Sequence, residues 1–463
     1  MPRIPTPHSL PDWPRASRRA RAIARLHGPR SPLFRRRVAM LGGAISIGLV
    51  AILFAKLADQ SSAVFNAIVA RWHWLPLVIT PLGFALMVGL TNRYAPAARG
   101  SGIPQVIAAK ENPEIGARTL LTLPTALAKA VLTFGALLVG GSTGREGPTV
   151  QLAASMLAVW HTVLRVPIRA SVLIAGGAAG VAAAFNTPLA GIAFAIEELA
   201  AAYEQRMALL VMTAILIAGA VASGIAGDYV YFGTVGASMR IGPALIVAPV
   251  AGVLGGVAGG LFARLMLGVA RRSIAPLRPL QRKPVLFAAV CGLVVAVLGC
   301  TTGLTWGAGY PVAHAIIGGA HVPFWFGLAK FATTLATAVA GLPGGIFAPS
   351  LSTGAGFGNM LRWLFPGESP SAVVLLGMAA YFTGVVRAPL TAVFILTETT
   401  NSRGLMLPLM ATALVADLVS RQVCETKLYE GLSETFLGRD PPNEAPAPPA
   451  YRGTPAAPGD PSA

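Results

Sequence analysis

The sequence has little charge, and its acidic residues are especially scarce. Only 12% of the 463 residues are charged, and Asp and Glu together number 18 against 36 Lys and Arg. A soluble chain of this length needs far more charge to cover its surface, so this composition excludes an ordinary soluble globular protein. The mean hydropathy of +0.65 instead favours a protein that crosses a membrane many times.

Cysteine and histidine are also scarce, and the few that are present form no ligand pattern. Cys291, Cys300 and Cys424 are scattered, and two of them lie in apolar runs, as is typical of small core residues. No two of the six histidines have the His-x3-His spacing of a helical metal site, and no Gly-Lys-Ser/Thr phosphate loop is present. The sequence therefore predicts no metal, no cofactor and no enzymatic activity, with an intramembrane enzyme as a remote alternative.

Basic residues are concentrated near the N-terminus. Ten arginines precede the first long apolar run, against a single acid, Asp12. They lack the aromatic interleaving of a nucleic-acid-binding segment, so no nucleic-acid partner is predicted. The positive-inside rule favours a cytoplasmic flank, and the arginine-rich leader and the apolar run are both too long for a signal peptide.

Hydropathy divides the chain into three parts and predicts an all-α polytopic membrane protein. Residues 1–34 are predicted to be a basic cytoplasmic segment, with a short interfacial helix over 15–26, and residues 439–463 a disordered Pro/Ala-rich tail. Between the two ends, residues 35–438 form the predicted transmembrane domain, with long apolar spans at 38–58, 75–95, 119–140, 207–225, 243–268 and 285–301. Lys129 interrupts the span at 119–140, and its side chain could either snorkel to an interface or have an electrostatic role.

The stretch Gly144-Arg145-Glu146-Gly147-Pro148 places two charges inside an apolar region. A charge in hydrocarbon costs about 2.5–3.5 kcal/mol on insertion scales, so an ionisable residue there is a functional candidate. Pro148 suits the first position of a helix, and we predict a short helix over residues 148–160. Its free N–H groups and positive dipole end would point back at Glu146, which places the carboxylate where an anion binds. The alternative for Glu146 is a structural ion pair.

A second break, Gly100-Ser101-Gly102-Ile103-Pro104, has the same glycine-flanked character. The chain also contains an internal repeat. Pro148 and Pro349 are 201 residues apart (349 − 148), as are Pro188 and Pro389 (389 − 188). Segments that start at these prolines are about 12–15 residues long, too short to cross a bilayer core of about 30 Å as helices. Repeated halves with broken helices predict a site at the membrane midplane between helix N-termini, although spacing does not distinguish inverted from parallel halves.

Three motifs in this order resemble those of the CLC chloride channels and chloride/proton exchangers. They are Gly100-Ser101-Gly102-Ile103-Pro104, Gly144-Arg145-Glu146-Gly147-Pro148 and Gly345-Ile346-Phe347-Ala348-Pro349, with Lys427-Leu428-Tyr429 near the end. The resemblance covers roughly residues 35–438. It implies a homodimer in a lipid bilayer of the bacterial inner-membrane type, with cytoplasmic termini and an anion pathway in each subunit between two inverted halves.

The same resemblance implies a set of site residues. Glu146 matches a gating glutamate that occupies an anion site when ionised and withdraws when protonated, and Glu198 matches an inner glutamate that exchanges protons with the cytoplasm. The implied anion ligands are the hydroxyls of Ser101 and Tyr429, the backbone N–H groups of Ile346 and Phe347, and the motif residues Gly102, Arg145 and Gly147.

The residues themselves leave other roles open. A hydroxyl is a neutral donor that binds an anion without trapping it, but Ser101 also suits a helix N-cap and Tyr429 an interfacial anchor. Glu198 also suits the solvated end of a short helix.

Both glutamates are present, which in the resembled family is typical of exchangers, whereas channels often lack the inner one. Ser101 stands where nitrate-preferring members have proline, so chloride is the expected anion. The resemblance therefore implies chloride–proton antiport, with a passive chloride-selective channel of the same fold as the alternative.

Overall fold

The computed structural model describes residues 31–200, 205–227 and 232–438, which fold almost entirely into helices. The predicted basic helix over 15–26 and the predicted tail over 439–463 lie outside the described residues and stay predictions. The α-helices are α1 Pro32–Arg71, α2 Pro76–Tyr94, α3 Ile103–Glu111, α4 Pro113–Thr119, α5 Leu123–Leu138, α6 Glu146–Val163, α7 Ala170–Phe185, α8 Pro188–Phe194, α9 Gln205–Ala226, α10 Ile241–Ala270, α11 Arg278–Gln281, α12 Pro284–Thr302, α13 Tyr310–Ile317, α14 Phe326–Val339, α15 Phe347–Leu361, α16 Pro370–Val386, α17 Pro389–Thr400, α18 Met406–Val423 and α19 Leu428–Leu437.

Several helices are long and apolar enough to cross a membrane. In the described part of the chain there are five such helices, and a sixth span if α4 and α5, bent by 52° at their junction, are taken together. The predicted span at 38–58 is too short, because α1 has 40 residues and begins at Pro32. Ser31 caps this helix by accepting a hydrogen bond from the Phe34 N–H at 3.0 Å. The predicted span at 119–140 is broken, because Thr122 caps a new helix. A multi-pass membrane fold is confirmed.

The two central helices begin earlier than predicted. α6 begins at Glu146, so Pro148 is its third residue and not its first, and α15 begins at Phe347, so Pro349 is again the third. Proline is tolerated throughout the first turn, because the N–H groups there have no intrahelical partner. As a result Glu146 belongs to the helix end that it was predicted to face.

Small residues let the short helices of each half approach closely. A methyl group on Gly176 of α7 would lie 2.7 Å from the Ala154 Cα of α6, and one on Gly354 of α15 would lie 2.7 Å from the Met378 Cα of α16. Close backbone approach through glycine and alanine is a typical packing mode of membrane helices. The two helix pairs occupy corresponding places in the two halves.

The predicted repeat has a structural centre. Gly144 and Gly345, which are 201 residues apart (345 − 144), exchange two backbone hydrogen bonds of 2.7 and 2.8 Å as an antiparallel bridge. Such a reciprocal pair defines a local two-fold axis between the halves. α6 and α15 both begin within two residues of this bridge, so two helix N-termini converge at one buried point, as expected of halves built around a central site.

Candidate functional site

Glu146 lies at this central point and is fully buried. One carboxylate oxygen accepts a hydrogen bond from the Tyr310 hydroxyl, and the other lies 3.4 Å from the backbone nitrogen of Ala348, in the first turn of α15. The carboxylate therefore receives the free N–H end of the opposite helix, which is the environment that binds anions. The structure thus places the Glu146 carboxylate at a helix N-terminus, and its predicted role at an anion site stays a prediction.

The Ser101 and Tyr429 hydroxyls are buried on another side of the same centre. Both residues are at most 4% exposed, and neither hydroxyl has a hydrogen-bond partner among the residues that the structure describes. A methyl group on Gly147 would clash with the Ser101 hydroxyl, and the Tyr429 ring packs against that of Phe347, so both residues border the centre. Buried hydroxyls normally find partners, so two such groups together are suited to hold a dehydrated anion.

The simpler roles for these two hydroxyls do not fit their surroundings. Gly102, with φ of +110°, is the N-cap of α3, and no side chain caps this helix, so Ser101 is not an N-cap. Tyr429 is fully buried and its ring centroid lies 6.0 Å from that of Phe347, so it is not an interfacial anchor.

Backbone N–H groups border the same region. Ile346 is the N-cap of α15 and Phe347 its first residue, so their N–H groups lack intrahelical carbonyl partners. Two glycines bring the loops together: a methyl on Gly102 would lie 2.8 Å from the Gly147 carbonyl oxygen, and one on Gly147 would lie 2.9 Å from the Ser101 carbonyl oxygen. Five of the predicted anion-binding residues, Ser101, Gly102, Gly147, Ile346 and Phe347, thus lie in loops or helix ends that meet at one centre.

The Arg145 side chain has a different environment. Its guanidinium group lies 2.6 Å from the Asp59 carboxylate and donates to the Ala55 carbonyl at 2.9 Å, both on α1. It lines a cavity of about 320 Å³ together with Asp59 and Tyr310. The predicted role of Arg145 as an anion ligand stays a prediction, while the observed contacts fix its side chain to α1.

Glu198 lies at a second polar position, in a π-helical turn, Ala195–Leu199, that follows α8. Its side chain is only 1% exposed and lies 3.6 Å from the Lys427 ammonium group, so the solvated helix end proposed as its alternative is wrong. Lys427 is two residues before Tyr429 on the chain, and its ammonium group also donates to the Glu197 carbonyl at 2.9 Å. π-Helical turns are frequent at functional sites.

The Lys129 side chain does not snorkel to a surface, and its ammonium group does not contact a predicted anion ligand. It is fully buried, and its ammonium group donates to the carbonyls of Ala98 and Gly100, at 2.8 and 2.5 Å. It therefore fixes the loop that carries Ser101. The corresponding residue of the second half is Lys330, which was not among the predicted residues although the offset of 201 leads directly to it (330 − 129).

One serine matches a hydrolase motif. Ser142 lies in Gly140-Gly141-Ser142-Thr143-Gly144, which fits Gly-x-Ser-x-Gly. Its hydroxyl lies 2.9 Å from that of Thr334, and its N–H donates to the Thr337 hydroxyl at 3.1 Å. The described chain places no strand before it, so the strand-to-helix context of that motif is lacking here and Ser142 gives no support to a hydrolase.

The fold and the site together define a multi-pass membrane protein of the transport class, with a buried polar centre between helix N-termini. Residues 83–421 match the family model described as "Voltage gated chloride channel". The chain therefore belongs to this family, the CLC family.

Named relatives and solved structures agree with this membership. The chain is 31% identical over 457 residues to the "H(+)/Cl(-) exchange transporter ClcA" of Yersinia pestis bv. Antiqua (strain Angola), with 93% of each chain covered. It is 33% identical over 387 residues to the protein of the same name from Vibrio vulnificus (strain YJ016), covering 79% of this chain and 81% of that protein.

The fold is similar to that of a slow cyanobacterial Cl⁻/H⁺ antiporter, with a TM-score of 0.74 and 24% identity over 87% of this chain and 98% of that chain. It is also similar to a CLC-type fluoride/proton antiporter, with a TM-score of 0.72 and 23% identity over 85% of this chain and 96% of that chain. These likenesses confirm the all-helical CLC fold.

Proposed function

We propose that this protein exchanges chloride for protons across the membrane, with Glu146 as the gate and Glu198 as the inner proton-transfer group. The observation that carries the proposal is the Glu146 carboxylate at the N–H end of α15. A carboxylate in that position competes with a chloride ion for the same donors when ionised. When protonated it loses its charge and releases them, which links proton uptake to chloride movement.

The surrounding groups support chloride as the anion. The Ser101 and Tyr429 hydroxyls and the first N–H groups of α15 replace hydration with neutral donors, and none of these is a full cation that would hold the ion too tightly. Two named relatives are H⁺/Cl⁻ exchange transporters, which favours chloride over other anions and exchange over passive flow.

Glu198 is proposed as the inner proton donor and acceptor because it is a second buried carboxylate next to a cation. Its side chain is almost inaccessible, and one carboxylate oxygen lacks a hydrogen-bond partner within the described structure. Lys427 both contacts Glu198 and leads into the helix that carries Tyr429, so it connects the proton site to the anion site along the chain. A homodimer in a bacterial inner membrane, with both termini cytoplasmic, completes the proposal.

The test is proton movement driven by chloride alone. Purified protein is reconstituted into vesicles with high internal chloride and equal pH on both sides. Exchange predicts that chloride leaving the vesicles draws protons in, although the departing chloride makes the interior positive and would drive a passive proton leak outward. A channel of the same fold, the second candidate, would release chloride without inward proton movement. A protonophore added at the end must dissipate the proton signal.

A further inference from the structure

A second loop repeats the architecture of the loop that carries Ser101. We name residues 100–104 the serine loop and residues 307–311, Gly307-Ala308-Gly309-Tyr310-Pro311, the tyrosine loop. Their first glycines, Gly100 and Gly307, have φ of +66° and +58°, and their third residues, Gly102 and Gly309, have φ of +110° and +83°. Each loop leads into a short helix with proline at its second residue, so the two are structural equivalents at an offset of 207 (307 − 100).

Buried lysines fix both loops in the same way. Lys129 donates to the carbonyls of Ala98 and Gly100, and Lys330 donates to those of Thr305 and Gly307, at 2.9 and 2.7 Å. The accepting residues again differ by 207 (305 − 98), and both lysines are fully buried. A buried ammonium bound to two carbonyls holds a loop rigidly, so each loop presents its side chains in a fixed direction.

The loops differ in where the hydroxyl is placed. The serine loop carries it at its second position, Ser101, where the tyrosine loop has Ala308. The tyrosine loop carries it at its fourth position, Tyr310, where the serine loop has Ile103. The Tyr310 hydroxyl donates to the Glu146 carboxylate, while its ring packs 5.7 Å from that of Phe232 and 6.0 Å from the Arg145 guanidinium carbon.

We propose that Tyr310 is a positioning residue that holds the ionised Glu146 carboxylate in the anion pathway and thereby limits the rate of gate opening. This inference rests on the proposed function of Glu146. Tyr310 acts through that carboxylate and is not itself required as an anion ligand. The tyrosine loop is thus the gate-holding counterpart of the serine loop, which supplies an anion ligand.

The hydrogen bond gives the direction of the effect. A donor to a carboxylate stabilises its ionised form, so loss of the Tyr310 hydroxyl favours the protonated, withdrawn gate. Other charged or titratable groups around Glu146 are Arg145 with its partner Asp59, Tyr429 across the centre, and Lys330 behind the tyrosine loop. Replacement of Tyr310 by Phe leaves the chemistry of all of these groups unchanged.

The test is Tyr310→Phe in reconstituted vesicles, because it removes one oxygen and keeps the ring contacts. We expect chloride turnover to rise by about 10-fold at neutral pH, and the pH at which turnover is half-maximal to move up by about one unit. Tyr381→Phe is the control for the loss of a tyrosine hydroxyl elsewhere, since Tyr381 is fully buried and its hydroxyl has no partner among the described residues. It should leave turnover and pH profile unchanged.

A double variant shows whether Tyr310 acts through the gate. In a Glu146→Ala background, adding Tyr310→Phe should change chloride turnover by less than about 1.5-fold, because the acceptor is already absent. An unchanged pH profile and turnover in Tyr310→Phe, or the same increase in the Glu146→Ala background, would overturn the proposal. Proton pumping by the wild-type protein is measured beside these variants, so failure of the exchange function is recognised separately.

Discussion

Glu197 and Glu398 cap each other's helices: Glu197 caps α17, which carries Glu398, and Glu398 caps α8, which leads into the turn that carries Glu197. The Glu197 carboxylate accepts from the N–H groups of Leu390 and Thr391 at 2.7 and 2.8 Å, and the Glu398 carboxylate accepts from those of Leu189 and Ala190 at 3.2 and 3.0 Å. The two glutamates are 201 residues apart (398 − 197). These mutual caps hold the halves together at a second place. They give Glu197 a structural role that its neighbour Glu198 does not share.

The exchanged caps predict a loss of stability when either glutamate is removed. Glu197→Ala leaves two first-turn N–H groups of α17 without their acceptor, and should lower the free energy of unfolding by about 1–3 kcal/mol. Glu398→Ala is the matched variant at the other end of the exchange and should show a similar loss. Thermal unfolding of the purified protein in detergent measures both. An unfolding temperature equal to that of the wild type in both variants would show that the caps carry no stability.

The repeat was predictable in part because prolines near the starts of the short helices are present in both halves. Pro148, Pro188 and their partners 201 residues on were recognisable from spacing alone, and they lead to helices that pack in corresponding places. The equivalence of the serine and tyrosine loops was missed because the offset there is 207. The six-residue difference lies between these loops and the buried lysines, and it breaks the constant spacing that the prediction used.

Contacts between distant residues were beyond sequence reasoning. Tyr310 and Glu146 are separated by 164 positions, and nothing in the local pattern around Tyr310 indicates an acidic partner. The start of α6 was placed two residues late, because proline fits the first helical position and the third equally well. Composition correctly predicted a multi-pass membrane protein, because composition reflects the average environment of the chain and not single contacts.

Replacement of the gating carboxylate predicts uncoupled chloride transport. In Glu146→Ala a methyl group can neither carry a proton nor occupy the position next to the Ala348 N–H, so chloride should still pass while chloride-driven proton uptake falls to the level of protein-free vesicles. Chloride efflux and external pH are recorded together on the same vesicles. Continued inward proton pumping by this variant would contradict the assignment of Glu146.

The buried tyrosine hydroxyl predicts a change in anion affinity. Tyr429→Phe removes the hydroxyl but keeps the ring against Phe347, so the fold should survive while chloride binds roughly 10-fold more weakly, as expected for one hydrogen bond to a charged group. Isothermal titration calorimetry with chloride gives the dissociation constant. Tyr381→Phe controls for the loss of a buried hydroxyl elsewhere, and equal affinity in all three proteins would remove Tyr429 from the set of ligands.

Paired chloride and pH electrode traces from vesicles that contain Glu198→Gln test the central claim, that two buried carboxylates couple proton transfer to chloride movement. The substitution conserves volume and hydrogen-bonding capacity and removes only the ability to take up and release a proton, so the fold and chloride binding should persist. We predict that inward proton pumping is abolished while chloride still moves, either slowly or without coupling. Wild-type proton pumping in Glu198→Gln would contradict the claim and leave Glu146 without its proposed inner partner.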